Sequence, residues 1–185
     1  LPYQTDISVG ELTFALNITA MMDLEGAYLG NNLEWSDVTE ARASVARAAQ
    51  LLSAIDGSGT AIMMVNRDLE ITYTNAAAAE LLRKNVDVFR SVFPGFDPET
   101  MIGTCIDRFH KDPSHQRRIL DDPRNLPYQT DISVGDLTFS LNITAIQDDE
   151  GTYLGNNLEW ADVTDLRTLE RDAAGQLSAI GKSQA

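Results

Sequence analysis

The sequence predicts an α+β domain: one five-stranded antiparallel sheet with short helices on one face, flanked by helical connectors. Three observations carry that expectation. Residues 1–39 return at 126–164 with seven differences and a constant offset of 125. Within one period the segments run β-β, short helices, then β-β-β. After each copy of the repeated stretch, the apolar spacing changes from two to three and four, which marks a helix.

A period of this length exceeds that of a solenoid repeat, so each unit is read as a domain plus its connector. The match weakens after the repeated stretch and recovers at Leu52-Ser53-Ala54-Ile55 and Leu177-Ser178-Ala179-Ile180. The expected division has four parts. Residues 1–40 are the C-terminal, three-strand half of a preceding unit, and 41–58 a helical connector. Residues 59–164 are a complete domain, and 165–185 a second connector able to form a coiled coil. The first residue is Leu, in the middle of a repeated unit, so the chain is expected to be a portion of a longer protein.

Taken in order, Ala61 to Asn66 and Leu69 to Thr74 read as short strands joined by Asn66-Arg67-Asp68 as the turn. Ala76 to Lys84, AAAAELLRK, is a helix by propensity, with Asn75 as its N-cap. Pro94-Gly95 and Pro98 punctuate the short helical pieces that follow. Pro113 to Leu120 reads as another helix, with Pro in its first turn and Pro123 beyond its end. In the middle strand of the last three, Leu137, Phe139, Leu141, Ile143 and Ala145 alternate with polar residues, giving one buried and one wet face. Asp148-Asp149-Glu150-Gly151 turns into a final strand, Thr152 to Val163. Beyond it Leu166, Leu169, Ala173, Leu177 and Ile180 form a narrow apolar seam, as do Val45, Ala48, Leu52 and Ile55 after the first copy. A seam this narrow suits pairing of two helices, and hence a homodimer.

Composition narrows the function. The formal net charge is -14, which argues against nucleic acid or an anionic membrane surface, since phosphate contacts need clustered Lys and Arg. The single Cys105 leaves no internal disulfide framework and fits a reducing, cytoplasmic compartment. No run of eighteen apolar residues and no signal-peptide pattern is present. Phosphate-cradling glycine loops, HExxH and nucleophile elbows are likewise missing, and paired acids such as Asp121-Asp122 sit at turns. No enzymatic activity is expected.

The strand–helix order, ending in Trp160-Ala161-Asp162-Val163-Thr164, resembles the PAS fold. The Asp-x-Thr ending at Asp162 and Thr164, repeated at Asp37 and Thr39, looks like the PAS junction that hands a signal to the following helix. Tandem PAS units with helical connectors resemble the sensory part of bacterial chemoreceptors of the aerotaxis type, or of sensor kinases. The resemblance therefore implies a downstream chemoreceptor or kinase signalling module. A narrower resemblance concerns Ile106-Asp107-Arg108-Phe109-His110-Lys111-Asp112-Pro113-Ser114-His115, which is similar to the segment before the long helix in haem-containing PAS domains. That likeness implies His110 as ligand to the iron of haem b, Trp160 on the gas-binding side, and Leu141 as an apolar residue shaping the pocket. His115 fits the spacing less well and reads as a surface residue.

Chemistry supports the same residues. Haem iron commonly takes a neutral imidazole and leaves a site open to a diatomic gas such as oxygen. A Trp indole N–H donates one hydrogen bond and accepts none. Leu137, Phe139, Leu141 and Ile143 would supply an apolar wall. Against this stand two other readings. One is a cofactor-free PAS relay, in which His110 is a capping residue and Trp160 is core; the other is a pocket for flavin or a small metabolite. Covalent flavin chemistry is set aside, because Gly103-Thr104-Cys105-Ile106-Asp107 departs from the Asn-Cys-Arg-Phe-Leu-Gln motif it uses. The half unit at residues 1–39 exposes an apolar face and a sheet edge, which favours pairing, including exchange of strands between copies.

Overall fold

The computed structural model describes residues 2–183, with side chains as far as Leu177. The chain divides into two compact units, Leu1–Ala54 and Ile55–Ala185. In the first unit, β1 (Tyr3–Val9), β2 (Leu12–Met22) and β3 (Tyr28–Asp37) form an antiparallel sheet in the order β1-β2-β3. Helix α1 (Thr39–Asp56) follows and buries none of its residues.

The second unit holds β4 (Ala61–Asn66), β5 (Ile71–Thr74), α2 (Ala76–Lys84), α3 (Val86–Val92) and α4 (Pro113–Leu120). Then come β6 (Tyr128–Val134), β7 (Leu137–Gln147), β8 (Tyr153–Asp162) and α5 (Thr164–Ser183). Its five strands lie in the order β5-β4-β8-β7-β6. The first strand of the unit thus sits beside the last, and the helices cross over one face. On β4 the burial alternates residue by residue, as expected of a strand with one covered face. The strand expected from Leu69 starts two residues later. Leu69 takes a left-handed backbone (φ 63) so that the turn can close, while its side chain stays in the core.

The core lies between the sheet and α2–α4. Phe139 is fully buried, and Phe89 stacks on Phe96 with ring centroids 4.8 Å apart. Asn75, also fully buried, ties the start of the unit together. Its Oδ1 accepts from the Ala78 and Ile62 amides, both at 2.9 Å, capping α2 and fixing β4. Its Nδ2 donates to the Ile55 and Thr60 carbonyls at 3.1 and 2.8 Å. All four hydrogen-bonding positions of the amide are used. Asn75→Ala therefore removes a cap and leaves buried backbone groups unpaired, at an expected cost of about 2–4 kcal/mol. Urea unfolding of the variant checks this; a loss under about 1 kcal/mol would contradict the network's role.

Helices α1 and α5 leave most of their apolar seams open: Val45, Leu52, Leu166, Leu169 and Leu177 are exposed, while Ile55 is half-buried. The side chain of Ile180, the last seam position, lies outside the described residues. No described helix is long and apolar enough to cross a membrane.

Candidate functional site

A cavity of about 210 Å³ lies between the inner face of the sheet and the helical layer of the second unit. Its floor is Leu141 and Ile143 of β7 with Leu158 and Trp160 of β8. Its roof is aromatic, built from Phe89, Phe93, Phe96 and Phe109. His110, His115 and Gln116 close one side.

His110 ends a 3-10 turn, Ile106–Phe109, and its backbone N–H donates to the Asp107 carbonyl at 3.0 Å. The ring Nδ1 lies 2.8 Å from the Ile106 carbonyl oxygen. A carbonyl only accepts, so Nδ1 carries the proton and a neutral ring keeps its lone pair on Nε2. That is the atom through which an imidazole takes a metal, oriented by a hydrogen bond at the opposite nitrogen. The turn is braced by Asp107, which accepts from Arg117 Nε at 2.8 Å and also pairs with Arg117 Nη2. The Asp107 partner holds the Arg117 guanidinium above its usual range. Next along the chain, Asp112 caps α4 through Ser114, accepting from its hydroxyl at 2.6 Å and its amide at 3.1 Å. These bonds keep the Asp112 carboxyl below the ordinary carboxylate range.

Trp160 and Leu141 stand directly opposite each other across β8 and β7, and Trp160 is also paired with Ala61 of β4. The indole meets the edge of Phe139 at 5.9 Å and 66°. Its Nε1–H is buried and finds no hydrogen-bond partner among the described residues. A buried donor without a partner is costly, and here it belongs to a residue that lines the cavity. Gln116 Oε1 is buried and unpartnered in the same way. Sequence reasoning passed over Gln116, because a Gln one turn into a short helix carries no motif. The aromatic roof was missed as well; its residues are scattered over irregular segments where no periodicity gathers them.

Of the apolar wall expected from β7, Leu141 and Ile143 line the cavity. Leu137 and Phe139 do not; they pack in the core beyond its end, with Phe139 between Phe89 (5.8 Å) and Trp160. His115, expected at the surface, is exposed yet contributes to the cavity's rim. Among the described residues no group of three or more His, Cys, Asp or Glu side chains could hold a metal ion.

The exit from β8 is fixed by hydrogen bonds. Thr164 Oγ1 donates to Asp162 Oδ1 at 2.6 Å and accepts from the Thr138 amide at 2.9 Å, while the Thr164 amide donates to the same Asp162 oxygen at 3.0 Å. The Thr164 bonds hold the Asp162 carboxyl below its usual range. One turn later Arg167 Nε donates to Asp131 Oδ2 of β6 at 2.6 Å, which likewise lowers the Asp131 carboxyl. The last strand, its neighbour and the first turn of α5 are therefore one hydrogen-bonded joint, and Trp160 sits two residues upstream of it. The first unit repeats the joint: Thr39 Oγ1 donates to Asp37 at 2.6 Å, and Arg42 pairs with Asp6 at 2.8 Å.

Comparison with known proteins agrees with this architecture. Residues 49–113 match the PAS domain family. Over 137 residues the chain is 30% identical to the methyl-accepting chemotaxis protein McpB of Pseudomonas aeruginosa, covering 74% of this chain and 20% of that protein. The chain thus spans about one fifth of the length of this curated relative. A solved structure described as the Aer2 receptor from Vibrio cholerae, a dual PAS-heme oxygen sensor, is 38% identical with a TM-score of 0.56. That match covers 60% of this chain and 99% of the other. The relatives are sensory and signalling proteins, and no enzyme family is indicated. With its 2-1-5-4-3 strand order, its helical cover and these relatives, the chain belongs to the PAS domain family and is related to a chemoreceptor.

Proposed function

We propose that this chain is the sensory part of a longer, cytoplasmic, chemoreceptor-like protein, that it holds haem b through His110 Nε2, and that it responds to oxygen or another diatomic gas. The observation that carries the reading is the pairing, in one apolar cavity, of an imidazole whose Nε2 keeps its lone pair with a buried indole N–H lacking a partner. The solved relative at 38% identity, described as a PAS-heme oxygen sensor, supports it. When bound, haem would supply an iron able to take a small gas molecule. The chain's own residues do the rest. Ile106 O holds the His110 ring in its tautomer, and Leu141, Ile143 and Leu158 keep water away. Trp160 Nε1–H is free to donate to a polar acceptor, and the Asp162–Thr164 joint passes a displacement of β8 into α5.

At about 210 Å³ the cavity lies below the roughly 300–1,000 Å³ usual for cofactor-sized ligands. The side that would open is the one built of Phe93, Phe109 and His115, which are half-buried or exposed. The same volume favours a second reading, a PAS relay with no cofactor or with a smaller metabolite. In either case the exposed seams of α1 and α5 would pair two copies into a dimer, and exchange of the repeated strands is a second route.

An absorption spectrum of the protein after haem reconstitution tests the reading, beside His110→Ala. A Soret band present in the parent and lost in the variant, with gas binding weakened at least tenfold by Trp160→Leu, is the expected result. A colourless parent would leave the relay reading, and bound flavin would be recognised by its own absorption and fluorescence.

A further inference from the structure

Helix α4 stands between two cavities. Gln116, Ile119 and Leu120 line the first, while Arg117, Arg118 and, just past the helix end, Asp121 line a second of about 230 Å³. Arg67, from the turn between β4 and β5, and Leu69 complete the second. The chain has 28 acidic and 14 basic residues, yet guanidinium groups outnumber carboxylates three to one along this lining. Like charges gathered at one opening repel each other unless anions offset them. Two are offset: Arg67 Nη2 donates to Asp121 Oδ1 at 3.3 Å, and Arg117 is paired with Asp107. Arg118 has no ion pair among the described residues, and Asp112 feels its charge only from further off.

Two of the three cations are held in position before any ligand arrives. The Arg67 guanidinium lies over the Tyr153 ring, 5.3 Å from its centroid, and the Tyr153 hydroxyl is itself fixed by donating to Asn156 Oδ1 at 2.7 Å. Arg117 is held by its Nε, which donates to Asp107 at 2.8 Å. A guanidinium has five N–H donors; Arg67 uses one and Arg117 two, so most remain unused. A phosphate monoester brings three terminal oxygens and close to two negative charges, which suits three guanidinium groups better than the two oxygens and single charge of a carboxylate. Asp121 is left to accept from a hydroxyl, and the buried Leu69 offers an apolar contact for carbon.

We propose that this second cavity binds a small, hydroxylated organic phosphate through Arg67, Arg117 and Arg118, and that its occupant acts on the turn that carries His110. Arg117 is the link. It braces Asp107 Oδ2, while Asp107 Oδ1 is buried without a partner among the described residues. The Asp107 carbonyl in turn accepts from the His110 amide. A phosphate dianion drawing on Arg117 competes with Asp107, so the turn Ile106–Phe109 loses its brace when the cavity fills. The site stands on the packing of α4 against the β4–β5 turn, and neither it nor its test requires haem.

Calorimetric titration of the full chain with glycerol 3-phosphate at low ionic strength tests this, beside succinate and glycerol. The expected result is one saturable site in the millimolar range or tighter, with succinate bound about tenfold more weakly and glycerol not at all. Arg67→Ala and Arg118→Ala should each weaken binding about tenfold, the loss of a hydrogen bond to a charged group. Arg124→Ala, an exposed arginine outside the cavity, should leave it unchanged. Arg118→Ala breaks no ion pair among the described residues, so it keeps the test valid even if Arg67→Ala disturbs Tyr153. Hydrogen exchange at the Arg108 and His110 amides should quicken severalfold on saturation, because both donate within the turn that Arg117 braces. Four outcomes overturn the proposal: no saturable binding of glycerol 3-phosphate, an affinity unchanged in Arg118→Ala, succinate bound as tightly, or saturation that leaves exchange at His110 as it was.

Discussion

Gly155→Ala is expected to destroy the second unit's sheet while Gly30→Ala leaves the first unit folded. The two glycines occupy the same place in nearly identical strands and share a backbone conformation that side chains rarely adopt. Each alanine therefore carries a strain of about 1–3 kcal/mol. Only at Gly155 does a second cost arise, because the new Cβ would lie 2.0 Å from the Val65 carbonyl oxygen and 3.0 Å from Asn66 Cα. Both atoms are backbone and cannot rotate away. The pairing of β4 with β8 has to open, and β4 anchors Asn75, the core residues Met63 and Val65, and through them α2. A cost above about 4 kcal/mol is expected, enough to remove much of a typical domain's stability. Hydrogen exchange in β4 and β8 reads it directly. If Gly155→Ala keeps those amides protected, β4 tolerates a displacement that the present packing excludes.

That contrast bears on what could be read from the sequence. The repeat made the succession of elements along the chain legible, because two copies of one stretch had to be doing the same structural work. Alternation on β7 named the buried face, and the Asn75 cap and the prolines at Pro113 and Pro123 marked helix ends that the structure keeps. Leu141 and Trp160, both read from regular strands, are direct cross-strand neighbours. What stayed hidden was built by irregular segments. Leu69 turns with a positive φ that no side-chain pattern announces, and Phe93, Phe96 and Phe109 meet only because the loop after α3 folds over the 3-10 turn Ile106–Phe109. Gln116 shares the cavity with Trp160 through the same tertiary accident, and a local reading of α4 sees only a polar residue beside Arg117. Alternation also could not tell a cavity wall from the core behind it. Leu137 and Phe139 share a face with Leu141 and Ile143, and only the position of the helical layer decides which of them meet the cavity.

Phe139 shows that a residue outside the cavity can still govern it. It is fully buried and wedged between the ring of Phe89 and the indole of Trp160, with centroids at 5.8 and 5.9 Å. Phe139→Ala removes this wedge and leaves a void that close-packed neighbours refill only in part, at an expected cost of about 3–5 kcal/mol. At about 2–4 °C per kcal/mol for a chain of this size, the melting temperature should fall by roughly 6–20 °C. A second effect separates the wedge's role from bulk packing. Trp160 is held on one side by its cross-strand partners and on the other by Phe139, so its indole should gain rotational freedom when the phenyl ring is lost. In a Trp35→Phe background Trp160 is the sole tryptophan, and its fluorescence anisotropy and near-ultraviolet circular dichroism report that freedom. Phe139→Leu, which keeps most of the volume, should retain the ordered signal and lose less stability. A Phe139→Ala protein that melts early but keeps an ordered Trp160 would mean that the strands alone position the indole. Then the route from cavity to α5 would run through the backbone of β8 rather than through the aromatic stack.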